Sequence, residues 1–353
     1  MKKIGIIIIN YKDYAEKFLE DCIESLRGQQ APGFLWQLYI IDNCSEKKYL
    51  EEIKKHVPQS VIIPRSDGNY SAANKKGIEK AKEDGCDYFV ITNMDVIFEK
   101  DWLHELVKTI ESDNKIGIAQ SKVLLHKKND KKIINSVGNV LHFLGFGFTK
   151  GYREEDNGQY DQNTEISGYA SGCSLIIKKE VIDKIGNYDP QYYMYHDDIE
   201  LSWRTKLAGY KIVLAPKSIM YHKYEFNRSV RMLYYMERNR YIVMFSFYKI
   251  PTIILILPPL IIMEMGMFFY AIAGGWFITK LRVYYYFLKP QAWNHIFKVR
   301  RQVRKFRKAK DKDIVKNIAG KVEYQEIMNP ILKYLVNPIF DAYWNLVKKL
   351  IIW

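Results

Sequence analysis

Ile6-Ile7-Ile8-Ile9-Asn10-Tyr11, closing an apolar run that opens at Ile4, decides how this chain reads. A continuous β-branched run has no polar face, so it predicts a strand covered on both sides. Ala15, Phe18, Leu19, Cys22, Ile23 and Leu26 then recur at helical spacing. The alternation repeats. Residues 38–41 form a second apolar run ending in Asp42-Asn43, and 61–63 a third, followed by a helix starting near Tyr70. Residues 88–92 form a fourth, ending at Asn93-Met94-Asp95. Repeated βα units at this spacing predict a parallel, doubly wound α/β sheet. Such sheets bind ligands beyond the carboxyl ends of their strands, where Asn10, Asp42 and Asp95 all fall.

Beyond residue 116 the pattern is mixed, with short strands at 174–177 and 211–214 and a helix near 198–208. An aromatic, amphipathic helix is expected over 226–249. In 250–279 the only charged residue is Glu264, and both flanks are basic, with Arg238, Arg240 and Lys249 before and Lys280 and Arg282 after. Thirty helical residues span about 45 Å, more than the roughly 30 Å of a bilayer's hydrocarbon core. Pro251, Pro258, Pro259, Gly274 and Gly275 interrupt the run. A re-entrant hairpin keeps both basic flanks on one side, as the positive-inside tendency favours; a single pass is the rival. Residues 331–353 are again apolar-periodic and suit an interfacial helix. The expected division is 1–225, 226–249, 250–280 and a basic tail, 281–353.

The 353 residues carry a net charge of +14 and a mean hydropathy of −0.26. That balance fits a globular chain with a local membrane portion and an anionic partner. Nine Lys or Arg against Asp311 alone fill 298–312. After an apolar segment, such a cluster reads first as a contact with lipid headgroups, and no nucleic acid is expected. Four widely spaced cysteines form neither a disulfide framework nor a zinc cluster and suggest a reducing compartment. The first apolar run is too short for a signal peptide, which places the catalytic part in the cytoplasm.

Several residues can carry chemistry. Asp95, at a strand end, can hold a divalent cation against a diphosphate, although strand-end Asp also serves as a turn former. Asp197, Asp198 and Glu200 crowd the start of a helix. There the helix dipole favours acids, and crowded carboxylates can also supply a general base. Arg204, one turn beyond Glu200, can keep that acid ionised. Ile166-Ser167-Gly168-Tyr169-Ala170-Ser171-Gly172-Cys173 is small enough for a ligand to approach its backbone, or simply for a tight turn. His222 is either structural or a metal ligand.

In this order along the chain, the pieces resemble family 2 glycosyltransferases of the GT-A fold, in the rhamnosyltransferase-like branch. The resemblance covers roughly residues 3–225. It rests on Ile6 to Tyr11, Ile40-Ile41-Asp42-Asn43-Cys44-Ser45, Gly68-Asn69-Tyr70-Ser71-Ala72-Ala73-Asn74-Lys75-Lys76-Gly77 and Asn93-Met94-Asp95-Val96. Ser167-Gly168 through Ser174, Ile185-Gly186-Asn187-Tyr188-Asp189, Asp197-Asp198-Ile199-Glu200-Leu201 and His222 complete it. It implies a Rossmann-like, mainly parallel sheet with a mixed extension, followed by membrane-associated helices. Asn10, Tyr11 and Asp42 would bind the nucleoside, with Asn69 and Asn74 near the ribose or diphosphate and Asn93 beside them. Asp95 and His222 would hold Mg²⁺ or Mn²⁺. Asp198 would be the catalytic base, and Gly168, Ser171, Gly172, Asp197, Glu200 and Arg204 would border the acceptor.

Three departures stand out. Asn93 replaces the first acid of the family's DxD motif, Asp197 stands where Glu is usual, and Glu200 where Asp is usual. The resemblance implies an inverting transfer from a nucleotide-diphosphate sugar, rhamnose being the branch's donor sugar. The acceptor would be a polyprenyl-diphosphate-linked or polysaccharide glycan at the cytoplasmic face of the cell membrane, beside an anionic lipid surface. The rivals are a nucleotidyltransferase and a non-catalytic membrane-bound nucleotide-sugar binder. The first lacks its Gly-rich loop at Asn10-Tyr11-Lys12-Asp13, and the second leaves the acids without purpose.

Overall fold

The computed structural model describes residues 1–126, 131–223, 230–323 and 330–353. The chain divides into two compact units. The first holds β1 (Lys2–Tyr11), α1 (Tyr14–Arg27), β2 (Phe34–Asn43), α2 (Lys47–His56), β3 (Val61–Arg65), α3 (Tyr70–Glu83) and β4 (Tyr88–Asn93). It continues with β5 (Val96–Phe98), α4 (Trp102–Glu111), β6 (Ile116–Leu125) and β7 (Ile134–Ser136). β10 (Ser174–Lys178), α5 (Lys179–Ile185), α6 (Asp197–Leu207) and β11 (Lys211–His222) complete it, while the short ribbon of β8 (Asn139–Leu141) with β9 (Gly147–Thr149) falls almost wholly in the second unit.

Among the described residues a nine-stranded sheet runs β3-β2-β1-β4-β10-β6-β11-β5, with β7 on β6. β3, β2, β1 and β4 are parallel, as the βα repeats predict. β10 enters antiparallel between β4 and β6, and β5 antiparallel to β11, making the extension mixed. This is the GT-A arrangement. Ile4, Ile6 and Ile8 pack into the core with Leu19, Ile23, Ile40 and Trp102. Ile7 points to the other face, against α3. Each such buried isoleucine contributes about 1.5–3 kcal/mol, so β1 anchors the sheet. α3 presses on that face because Gly77 has no Cβ. A methyl there would lie 2.5 Å from Ile7 Cγ2, and one at Gly5 would lie 2.7 Å from Ala81 Cβ. This contact fixes where α3 begins, at the crevice.

β11 is longer than the strand expected at 211–214. Its ladder with β6 shifts register between Ala215 and Ile219, a bulge that absorbs Pro216, and pairing then resumes to His222.

The second unit contains α7 (Val230–Phe247), α8 (Ile250–Ala273), α9 (Phe277–Leu288), α10 (Pro290–Phe306), α11 (Asp311–Val315) and α12 (Asn337–Leu350). Residues 226–229 of the expected connecting helix lie outside the described residues. The expected membrane segment folds as α8, a turn at Gly274-Gly275, and the start of α9. α8 runs through both internal prolines. Pro259 offers no N–H to the Leu255 carbonyl; the Tyr343 hydroxyl of α12 donates to it instead, at 2.6 Å. At the start of α8 the Asp311 carboxylate accepts from the Lys249 N–H and the Thr252 hydroxyl. In the basic run, Arg300 and Arg307 turn inward and donate to the last carbonyls of α7, where a helix dipole favours cations.

Candidate active site

The crevice is built first from strand ends. Asn10 and Asp42 face each other in the β1–β2 register, and both are buried. Asn10 Nδ2 donates to Asp42 Oδ1 at 2.7 Å, and the Ser45 hydroxyl donates to the same oxygen. Both strands then leave the sheet through a residue in the left-handed region, Lys12 and Cys44. Asn10 Oδ1 and Asn43 Oδ1 are buried with no hydrogen-bond partner among the described residues. A buried polar atom costs free energy until something pairs with it, so these oxygens suit a polar ligand. Tyr11 borders the same opening beside Gly68.

At the next opening, Asn69 caps α3. Its Oδ1 accepts from the Ala72 N–H, and its Nδ2 donates to the Pro190 carbonyl. The structure thus gives Asn69 a capping and tethering task. Asn74 is wholly buried one turn further on. Tyr70, which sequence reasoning left without a role, donates its hydroxyl to Asn93 Oδ1 at 3.2 Å.

Asp95 follows β4, and the pairing of β11 with β5 brings His222 opposite Val96. His222 Nε2 lies 3.4 Å from Asp95 Oδ2. On the other side of the ring, Nδ1 contacts Asn135 Oδ1 at 3.0 Å. An amide oxygen only accepts, so Nδ1 carries the hydrogen and Nε2 is aimed at Asp95. Burial works against the imidazolium, but Cys173 and Asp95 outweigh it and lift His222 to about 10. The pocket therefore attracts positive charge. Asp95 Oδ1 is buried and has no hydrogen-bond partner among the described residues. A carboxylate oxygen in need of a partner, beside an imidazole oriented by the Asn135 amide, fits a divalent cation. Asn135, on β7, gave no signal in the sequence; only the fold brings it to His222.

The opposite wall is α6 and its approach. Tyr193, Tyr195 and His196 have φ of 63°, 64° and 61°, each costing about 1–3 kcal/mol in a side chain with a Cβ. Hydrogen bonds hold this bend in place. The Ser71 N–H donates to the Tyr193 carbonyl, and the Tyr193 hydroxyl donates to the Asp67 carbonyl. The three acids of α6 have three different fates. Glu200 and Arg204 are buried and doubly bonded, Nε to Oε1 at 2.6 Å and Nη2 to Oε2 at 2.5 Å. The remaining Arg204 donors reach the carbonyls of Ile185, Gly186 and Asn187. All five guanidinium hydrogens are thus engaged inside the protein. This pair holds α6 to the turn after α5, and Arg204 has no donor left for an acceptor.

Asp197 is buried, and burial, then the neighbouring Asp198, push its carboxyl well above the usual range. Asp198 is half-buried at the crevice. Burial raises it to about 6, against the backbone N–H groups of Ile199 and Gly172, which stabilise the carboxylate. A Cβ at Gly172 would lie 3.8 Å from Asp198 Cβ and 3.9 Å from the Tyr70 hydroxyl. Gly172 thus lies between the α6 wall and the Tyr70–Asn93 pair, while Cys173 next to it faces His222. Gly168 is buried and tied through its N–H to the Asn139 carbonyl, and the Ser171 N–H donates to Gln120 Oε1.

The GT-A sheet thus carries a polar strand-end crevice, a carboxylate–imidazole pair and an acid of raised pKa. The chain belongs to glycosyl transferase family 2, whose match covers residues 5–186. It is 24% identical over 230 residues to rhamnosyltransferase WbbL of Escherichia coli K12, covering 60% of this chain and 80% of that one. It is also 29% identical over 77 residues to the N-acetylglucosaminyl-diphospho-decaprenol L-rhamnosyltransferase of Mycobacterium tuberculosis. That match covers 22% of this chain and spans about a quarter, 24%, of the mycobacterial protein. Among solved structures, GalNAc-T7 with UDP, GalNAc and Mn²⁺ superposes with a TM-score of 0.57 at 17% identity, covering 71% of this chain and 49% of that one. At that identity the likeness speaks to the fold.

Proposed function

We propose that this chain transfers rhamnose from a nucleoside diphosphate, with inversion, to a polyprenyl-diphosphate-linked glycan at the cytoplasmic face of a membrane. The observation that carries the reaction type is the Asp198 carboxylate. Its pKa is raised to about 6, and it lies beside Gly172, whose neighbour Cys173 faces His222. Near neutral pH such a group is ionised yet basic enough to take a hydroxyl proton. The choice of rhamnose and of a lipid-linked acceptor draws on the names of the Escherichia coli and Mycobacterium tuberculosis relatives.

Asn10, Tyr11 and Asp42 receive the nucleoside, and Asn74 and Asn93 lie toward the diphosphate. Asp95 and His222 would hold Mg²⁺ or Mn²⁺, which when bound neutralises charge growing on the diphosphate. Asp198 accepts the acceptor hydroxyl's proton as that oxygen bonds to the anomeric carbon. The bond from that carbon to the diphosphate oxygen breaks, and the nucleoside diphosphate leaves from the opposite face. Configuration inverts in one displacement, without a covalent enzyme intermediate. Gly172 and Ser171 border the acceptor, Gly168 supports that loop, and Asp197, Glu200 and Arg204 hold Asp198 in position.

The test is release of free nucleoside diphosphate from dTDP-, UDP- and GDP-sugars with Mg²⁺ or Mn²⁺, then with EDTA, in the presence of a prenyl-diphosphate-linked sugar. Metal-dependent release from dTDP-rhamnose is expected. Release from a different donor alone would overturn the rhamnose reading and keep the transferase.

A further inference from the structure

The helical second unit has its own hollow, far in character from the polar crevice. Tyr241 and Phe245 of α7, Ile261 and Met265 of α8, Phe287 of α9 and Trp293 of α10 line a cavity of about 560 Å³. Its one charged wall residue, Glu264, is already neutralised. Glu264 pairs with Arg240 at 2.7 Å and Lys280 at 2.8 Å, and both cations also pair with Glu237. Arg240 and Lys280 are essentially fully buried. Two acids and two bases thus close on one another and leave the hollow electrically neutral and apolar.

The same ion cluster fixes the attitude of α8. Among the described residues, α8 is the one helix long and apolar enough to cross a membrane. Yet Thr252, Ile256, Leu260, Met263 and Ala271 form a buried stripe along its whole length. Thr252 and Leu255 are hydrogen-bonded to α11 and α12 at one end, and Glu264 to α7 and α9 further along. Standing α8 upright in a bilayer means either tearing it from these partners or dragging four charges into hydrocarbon, at several kcal/mol. Its opposite stripe, Ile254, Leu257, Ile261, Ile262, Met265 and Phe269, is exposed. Ile261, Met265 and Phe269 belong both to that stripe and to the hollow. Seven of the nine cations in 298–312 are exposed, which suits anionic headgroups.

We infer that α8 lies in the plane of one leaflet, its exposed stripe in the acyl region, and that the hollow seats a hydrocarbon chain of a lipid from that leaflet. This rests on the membrane reading above and lays the segment expected as a re-entrant hairpin, or a single pass, in the membrane plane as an anchor. The probe is sealed vesicles of phosphatidylcholine and phosphatidylglycerol, with and without bromine on the acyl chains, mixed with the full chain. Flotation with vesicles is expected. Brominated chains should quench a part of the tryptophan fluorescence that Trp293→Phe abolishes. Ile261→Asp/Met265→Asp should lower vesicle binding at least tenfold while circular dichroism and nucleotide binding stay unchanged.

The outcomes separate. No flotation in any lipid overturns the membrane reading itself. Flotation undiminished in the double aspartate variant overturns the in-plane anchor alone. Flotation lost in that variant, with quenching that Trp293→Phe does not change, leaves the anchor standing and overturns the chain in the hollow. Capture of a protein with no vesicle affinity would also overturn the proposal.

Discussion

On the strand-end wall of the crevice, Asn10, Asn43 and Asp95 keep buried oxygens that have no partner among the described residues; on the α6 wall, Glu200 and Arg204 spend themselves on each other. The chemistry of the first wall suits a polar ligand and a cation. The second is complete in itself and serves to hold one carboxylate, Asp198, at the opening. Three acids within one turn would read as equivalents from charge alone. Packing makes one a strut and one a buried acid, and it leaves the third, Asp198, as the base we propose.

The sharpest way to break this contrast is Asp198→Asn. If Asp198 is the base, nucleoside diphosphate release to acceptor falls about 10²–10⁴-fold, while donor binding by calorimetry is unchanged. Retained turnover would remove Asp198 from the mechanism. The same residue sets a pH dependence. With its carboxyl raised to about 6, the active ionised form is lost as pH falls through that value. The rate should therefore drop about tenfold per unit below pH 6 and level off above it, a limb absent from the residual activity of Asp198→Asn.

Next in size is the strut. Arg204→Ala leaves Glu200 as a buried charge without its counter-ion, a loss of about 3–5 kcal/mol in urea unfolding. Glu200→Gln/Arg204→Met removes both charges together and should recover most of that stability. If the double variant is as unstable as the single one, the pair is more than a strut.

On the strand-end wall the matching change is Asn135→Ala, which frees the His222 ring. Loss of the hydrogen bond that orients a ligating imidazole lowers metal affinity about 10–100-fold, read as the Mn²⁺ concentration giving half-maximal rate. An unchanged metal requirement would separate His222 from the cation.

The unequal construction of the two walls also explains what was legible beforehand. Asn10, Asp42 and Asp95 follow from apolar runs that must be strands, because a parallel sheet places strand ends at the ligand. The chemical identity of His222 was legible, but its position was not. A strand expected at 211–214 had to continue past Pro216 through a bulge to reach it. Asn135 and the antiparallel insertion of β10 depend on pairings between segments distant in sequence, which no local period encodes. Glu200 and Arg204 were found by their spacing, yet spacing of four residues says only that they meet. That they meet in the interior, with every guanidinium hydrogen used, is a property of the turn at 185–187.

Gly172 offers the finest test, because it belongs to neither wall and lies between them. A Cβ there would meet Asp198 and Tyr70 at 3.8 and 3.9 Å, ordinary van der Waals contact, and its φ is not in the left-handed region. Gly172→Ala should therefore fold normally, with a melting temperature close to that of the parent. The added methyl group occupies the gap we assign to the acceptor beside Asp198, and one methyl in a fitted pocket is worth about 1–3 kcal/mol. The KM for acceptor should rise roughly tenfold with donor binding unaffected. An equal rise for donor and acceptor would mean that the gap serves the sugar being transferred. No rise at all would place the acceptor elsewhere, and the glycine would then answer only to the turn it makes before β10.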